Sequence, residues 1–354
     1  MSASKRAMLV AGIGLALVLL AAAAFAGVRW WQDRHRTDLE RALSYAPADA
    51  ARFSWTDWAA VRSELASDVD GSSSVREVED FLSEGFDTDL TSTSSMVDSA
   101  GPLQADFGFS PAVVDWELLS QGPTGSVALM GLPDSLDVDE LADIFEALGY
   151  QRPESSTGVW EGGEELLARL GPGISPQFNH LALDADRGLL LASDSSTYLG
   201  DVVEGLDSDS DHGLDDVAEA IGDPLSAALY TGEQACRALS MSQADEGEQA
   251  TAEELVEAAG EVNPVTGFAI GAEPDGDVLV AMSFETDDQA RTNADSRAQL
   301  AAGPAPGQGG DFADRFDLGD VTADGQVVTM QLRPLEGSYV LSDLSTGPVL
   351  FATC

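Results

Sequence analysis

Ala7 to Val28 is a run of twenty-two residues without a charge, set between Lys5-Arg6 and Arg29-Trp30-Trp31. As a helix rising about 1.5 Å per residue it reaches roughly 33 Å, enough to cross a bilayer core of about 30 Å. The chain downstream is soluble in character, so the run predicts a tether or an export signal for all of it. We expect residues 1–36 to form a cytoplasmic tip and a single-pass membrane anchor, residues 7–28 being the contact with the membrane. A cleaved signal peptide is the alternative, because Ala24-Phe25-Ala26 before Gly27 supplies a small-residue cleavage site. The run is longer than the usual signal core of about 7 to 15 residues, and the paired tryptophans fit an interfacial belt, which favours the uncleaved anchor. No cysteine lies near enough for a lipid thioether. Arg29, Arg34 and Arg36 outnumber Lys5 and Arg6, and by the positive-inside rule they place the C-terminal flank in the cytoplasm. The cysteine pair Cys236 and Cys354 argues for the opposite orientation, and long domains translocate largely regardless of flanking charge.

The 354 residues are 44% hydrophobic, material for one large core or two smaller ones after the anchor. The formal charge is −45. Residues 1–36 hold five basic side chains and one acidic one, which leaves 12 basic against 61 acidic, a net of −49, for the rest. Lys5 is the only lysine. Such a surface repels nucleic acid and anionic lipid headgroups, so both are excluded as partners of the soluble part. Self-repulsion on this scale opposes compaction and is relieved by screening. Life at high salt or high pH accounts for the charge; a GC-rich genome, favouring Arg over Lys together with Ala, Gly and Asp, accounts for it equally well.

Along the chain, Gln32 to Leu43 reads as a polar continuation of the anchor helix. Arg52 to Trp55 reads as a short strand, and Thr56 or Asp57 as the cap of a helix carrying Trp58, Val61 and Leu65. Val75, Val78, Phe81 and Leu82 mark a surface helix among Ser, Asp and Gly. Ser126 to Met130 is a buried strand, and Asp137-x-x-Glu140 opens a helix that Gly149 ends. His180 to Leu183 and Gly188 to Ala192 form a hairpin, followed by a helix with Tyr198, Leu199, Val202, Val203 and Leu206 on one face. Thr231-x-x-Gln234 and Thr251-x-x-Glu254 read as capping boxes. Strands Thr266 to Ala272 and Asp277 to Phe284 flank the turn Pro274-Asp275-Gly276. A helix from Asp287 to about Ala301 precedes a hairpin at Asp324-Gly325, and Val349 to Thr353 reads as a last strand.

Hairpins mixed with separate helices predict an α+β fold rather than a wound parallel sheet. Aligning Trp55-Thr56 with Tyr230-Thr231 also pairs Ala60 with Ala235 and Arg62 with Arg237, a constant spacing of 175 residues. We therefore expect two similar α+β units, 37–222 and 223–354. The second is either a repeat of the first or a unit that shares its architecture without common origin.

Pro47-Ala48-Asp49-Ala50, Thr56-Asp57-Trp58 and the terminal Cys354 come together with the Ala/Leu-rich opening. In this layout the chain resembles uncharacterised, membrane-anchored exported actinobacterial proteins. That resemblance implies a compartment and no mechanism, since those proteins carry no assigned activity.

Asp207-Ser-Asp209-Ser-Asp211-His212-Gly213 resembles a calcium loop. An EF-hand wants glycine sixth and a bidentate glutamate twelfth, whereas here His212 is sixth and Ala218 twelfth. Asp207, Asp209 and Asp211 stay a calcium candidate, set against a solvated acidic turn between two helices. Catalytic motifs are missing from the sequence. His35 is juxtamembrane, His180 opens a strand, and His212 sits in the acidic turn. A Walker-type phosphate loop has no lysine to use, and there is no Gly-x-Ser-x-Gly, His-Glu-x-x-His or Cys-x-x-Cys. A carboxylate pair needs no motif, and 62 acids can hide one anywhere. Trp55, Trp58, Trp116 and Trp160 read as core rather than as a stacking platform.

Cys236 and Cys354 are the only two cysteines, an even count behind an export segment, and they predict a disulfide. Two buried free thiols in a cytoplasmic domain are the alternative. Together these features predict a membrane-anchored extracytoplasmic protein, non-catalytic and without a cofactor, that meets an envelope protein or wall component. The alternative is a cell-surface hydrolase using a carboxylate pair or a bound metal.

Overall fold

The structure is a computed structural model that describes residues 36–208 and 210–354. The expected anchor Ala7–Val28, together with His35 and Asp209, lies outside the described residues. The strands are β1 (Arg52–Thr56), β2 (Trp116–Gln121), β3 (Ser126–Gly131), β4 (Val159–Glu161), β5 (His180–Asp184) and β6 (Leu189–Ser193). They continue with β7 (Ser226–Thr231), β8 (Gly267–Ala272), β9 (Val278–Ser283), β10 (Phe316–Asp324) and β11 (Val327–Pro334). All pair antiparallel in one sheet of order β10-β11-β9-β8-β7-β1-β2-β3-β6-β5-β4. The fold is α+β with an antiparallel sheet.

Period-two alternation is what divides the apolar residues between two cores. On β3, Val127 and Leu129 face one layer while Ala128 and Met130 face the other, and all four are fully buried. Helices therefore have to cover both sides. In chain order they are α1 (Asp38–Tyr45), α2 (Trp58–Glu64), α3 (Val75–Asp87), α4 (Val138–Leu148), α5 (Glu164–Leu170) and α6 (Ser196–Gly205). After them come α7 (Asp215–Ile221), α8 (Gly232–Ala238), α9 (Glu246–Ala259), α10 (Asp287–Ala301) and α11 (Val340–Leu344). The smaller core packs α1, α6 and α7 on one face around Phe53, Trp55, Leu118 and Leu229. The larger core lies on the other face beneath the remaining helices. Trp55, Trp58, Trp116 and Trp160 are all buried in these layers, as the core reading expects.

Several elements differ from the sequence reading. The first described helix does not run through Arg36 and Thr37, as a continuous helix from Gln32 to Leu43 requires. Thr37 is extended and closes a capping box with Glu40, so α1 starts afresh at Asp38. Thr251 caps nothing, because Asp245 accepts the N–H groups of Gly247 and Glu248 and starts α9 earlier; the Thr251 hydroxyl bonds back to the Gly247 carbonyl inside the helix. Thr231 stands at the start of α8 without a side-chain cap. Val349 to Thr353 is no strand but a single 3₁₀ turn, Leu350–Ala352, buried against α10. The residue match at a spacing of 175 does not survive the pleat: Trp55 packs in the α1/α7 layer, whereas Tyr230 faces the opposite core. A one-residue slip in a strand exchanges its faces.

The cysteines meet. Cys236 on α8 and Cys354 form a disulfide with Cα atoms 5.4 Å apart, inside the range such bridges require.

Candidate functional site

The point where β1 passes into α2 organises a hollow at the strand ends of the sheet. Asp57 follows the strand in extended conformation, and its carboxylate accepts the Ala60 N–H at 2.8 Å, which fixes it as the cap of α2. Its own N–H donates to the Leu225 carbonyl at 2.8 Å. Asp115, just before β2, donates its N–H to Gly131 and accepts that of Ala59, both at 2.8 Å. These bonds hold the two aspartates on a rigid frame. Trp116 stacks on Trp55 with ring centroids 5.6 Å apart and lies across Gly131, where a Cβ would come within 2.2 Å of the indole Nε1. Only glycine permits that approach.

Asp38 from α1, Asp134 after β3 and Asp186 from the β5–β6 turn complete a hollow of about 650 Å³ carrying five aspartates. Two arginines also line it. Arg41 is bound to Asp38 at 2.6 Å, and Arg187 to Asp184 at 2.7 Å and to Asp207. Asp57, Asp115, Asp134 and Asp186 thus stand without an ion pair among the described residues. Burial pushes the proton affinity of Asp57 up, against the pull of the Ala60 N–H, and repulsion from Asp38 and Asp115 adds to it. Burial likewise raises Asp115, with Asp38 and Asp134 adding and Arg62 opposing. Arg62 gives its short hydrogen bonds to the carbonyls of Pro111 and Val114, at 2.7 and 2.9 Å, and acts on Asp57 and Asp115 through its charge alone. Chemically, such a hollow attracts a cation, or holds a proton at higher pH than a free aspartate does.

The calcium candidate is placed differently. Asp207 pairs with Arg187, Asp211 accepts the Gly213 N–H at 2.9 Å within its own turn, and Asp209 lies outside the described residues. Among the described residues, no group of three His, Cys, Asp or Glu side chains is arranged to hold a metal ion. His212 packs edge-on against Phe53 at 4.9 Å, and burial lowers its proton affinity. His180 opens β5 as expected, with its proton affinity also lowered by burial.

Sequence reasoning offered Thr56 or Asp57 as the cap, of which Asp57 is the one, and missed the hollow. Its aspartates come from separate segments, and no spacing in a chain this acidic singles them out.

No family model matches the chain, and no curated protein matches it. Among solved structures, crystal form I of TP0453 is similar at a TM-score of 0.39 and 6% identity, covering 86% of this chain and 96% of that one. A likeness at that level carries no argument about this chain.

Proposed function

We propose that the protein is a non-catalytic binding protein held to the cell membrane by residues 7–28, with the chain that follows them outside the cytoplasm. The observation that carries binding is the aspartate hollow: four carboxylates without ion pairs among the described residues, two of them, Asp57 and Asp115, on a rigid frame and with raised proton affinity. A cationic group from a partner relieves that repulsion, which points to a basic segment of an envelope protein or an amine-bearing wall component. The disulfide supports the compartment, since such bridges persist outside the reducing cytoplasm.

Strand order supports two similar α+β units, 37–222 and 223–354. The order β7-β8-β9-β11-β10 repeats β1-β2-β3-β6-β5, and the two runs join antiparallel at β1 and β7. A two-fold through the paired residues Ser54 and Ala228 relates positions 174 apart (54 to 228), which keeps equivalent side chains on one face. Val61 then corresponds to Ala235, both fully buried.

The test uses the full chain in detergent micelles and an oligo-arginine peptide as the probe. Binding that weakens by about tenfold or more in the double variant Asp57→Asn, Asp115→Asn supports the reading; equal binding by both proteins sinks it. Membrane fractionation and external protease test the anchoring, and a soluble mature form starting near Gly27 would refute the tether in favour of a signal peptide. The raised Asp57 and Asp115 carboxyls also favour a second reading, a cell-surface hydrolase using them as acid and base. Turnover of wall fragments by the wild type that disappears in Asp115→Asn would establish it.

A further inference from the structure

A second hollow, of about 490 Å³, has the opposite character. It is lined by Arg52, Tyr230, Gln234, Arg237, Gln243 and Thr346 along with small residues, and no carboxylate lines it. In a chain with 62 acidic and 17 basic side chains that composition is a marked local reversal. The β1–β7 register sets Arg52 directly opposite Tyr230, so both side chains leave the same face of the sheet. The guanidinium carbon sits 5.6 Å from the ring centroid. The ring is held in turn, since the Tyr230 hydroxyl donates to the Ser345 carbonyl at 2.5 Å. The Arg52 side chain makes no hydrogen bond or ion pair among the described residues, and its buried Nε has no acceptor. A desolvated guanidinium donor without an acceptor is costly. Arg237 faces the same hollow from α8, beside the bridged Cys236, and is bound at 3.3 Å to the exposed Glu233.

We propose that this hollow binds a small monocarboxylate anion. A guanidinium edge offers paired N–H donors that match a carboxylate, and the Gln234 amide stands ready for a neighbouring hydroxyl or amide of the ligand, while Gln243 is held at the rim by its Nε2, which donates to the Arg237 carbonyl at 3.2 Å. Charge selects the monoanion. Arg52 and Arg237 against Glu233 leave one positive charge in a chain of formal charge −45, whose field penalises a dianion such as phosphate. This site is separate from the aspartate hollow and does not depend on it.

The experiment titrates acetate, glycolate and inorganic phosphate into the full chain in detergent micelles. Saturation-transfer proton NMR reads the carboxylates, and phosphorus line broadening reads the phosphate. The expected result is binding of acetate and glycolate that Arg52→Gln weakens by about tenfold or more, the loss of a hydrogen bond to a charged group. Arg237→Gln weakens it less, and Arg169→Gln, an exposed arginine on α5, leaves it unchanged. Equal binding by wild type and Arg52→Gln overturns the site. Phosphate binding as tight as glycolate, with the same dependence on Arg52, overturns the monocarboxylate class. If Arg52→Gln does not fold, the exposed Arg237→Gln decides: an unchanged affinity in it overturns the proposal.

Discussion

The carboxylate of Asp89 accepts the main-chain N–H of Leu341 at 2.7 Å, across 252 residues of sequence. It also accepts the Ser342 N–H at 3.2 Å and the Ser342 hydroxyl. Asp89 has φ of +60°, a left-handed conformation that aspartate tolerates better than most residues. The turn after α3 is thereby latched onto the start of α11, early chain onto late. Asp89→Ala strands those donors in a buried place, and we expect a loss of about 1–3 kcal/mol in urea unfolding. Asp89→Asn keeps one acceptor oxygen and should cost less. Equal losses for the two variants would show that the hydrogen bonds are not what holds the latch.

Glu117, wholly buried on β2, makes a pH prediction. Its carboxylate accepts the Trp58 Nε1–H at 3.3 Å, the Ser94 hydroxyl at 2.6 Å, and the Ser95 N–H and hydroxyl at 2.8 and 2.5 Å. Burial nevertheless raises its proton affinity. An acid whose folded pKa lies above its unfolded value of 4.5 binds more protons in the native state between those two values. Stability therefore falls as pH rises through that window and stays lower above it. We expect Glu117→Gln to flatten this part of the profile in urea melts taken at a series of pH values above about 4.5. A variant with the wild-type slope would show that the fall has another source.

Turn chemistry made much of the sheet legible, because glycine at a left-handed position is a local signal. Gly276 and Gly325 sit in hairpins at φ of +85° and +54°, and Gly149 ends α4 at +106°. β2 was not legible: its sequence, Trp-Glu-Leu-Leu-Ser-Gln, puts a carboxylate where a strand buried on both faces wants an apolar residue, and only the donors of Trp58, Ser94 and Ser95 make that tolerable. Val349 to Thr353 has the composition of a strand, yet Arg297 takes the Phe351 carbonyl and Val349 donates to Leu239, which leaves no ladder to join. Both hollows were invisible for a common reason. Asp57 and Asp186 line one hollow, and Arg52 meets Tyr230, only through pairings that the order of strands creates.

Charge gives a prediction independent of any one residue. With −49 on residues 37–354, raising NaCl from about 10 mM to 1 M shortens the screening length from about 30 to 3 Å. Self-repulsion falls accordingly, and the melting temperature of the protein should rise across that range. A flat or falling melting temperature would mean that the acidic surface is not a source of strain.

The C-terminus is held twice, and the two restraints can be separated. The Cys236–Cys354 bridge spans 118 residues, for which the chain-entropy model gives about 5 kcal/mol as an upper figure. The second restraint is Arg297, fully buried on α10, which donates to the carbonyls of Phe351 at 2.5 Å and Asn263 at 2.6 Å and to Asn293 Oδ1 at 3.0 Å. No carboxylate pairs with it among the described residues, and burial lowers its pKa to about 9, so at neutral pH it stays charged and its bonds to those carbonyls stay charge-assisted. The double variant Cys236→Ser, Cys354→Ser acts mainly by freeing the unfolded chain, so it should lower global stability while the amides of Ala352 and Thr353, bonded to Val349 and Leu350, stay protected in hydrogen exchange. Adding Arg297→Met to that variant should release them. Loss of their protection in the cysteine variant alone would show that the covalent bridge, rather than Arg297, seats the last turn.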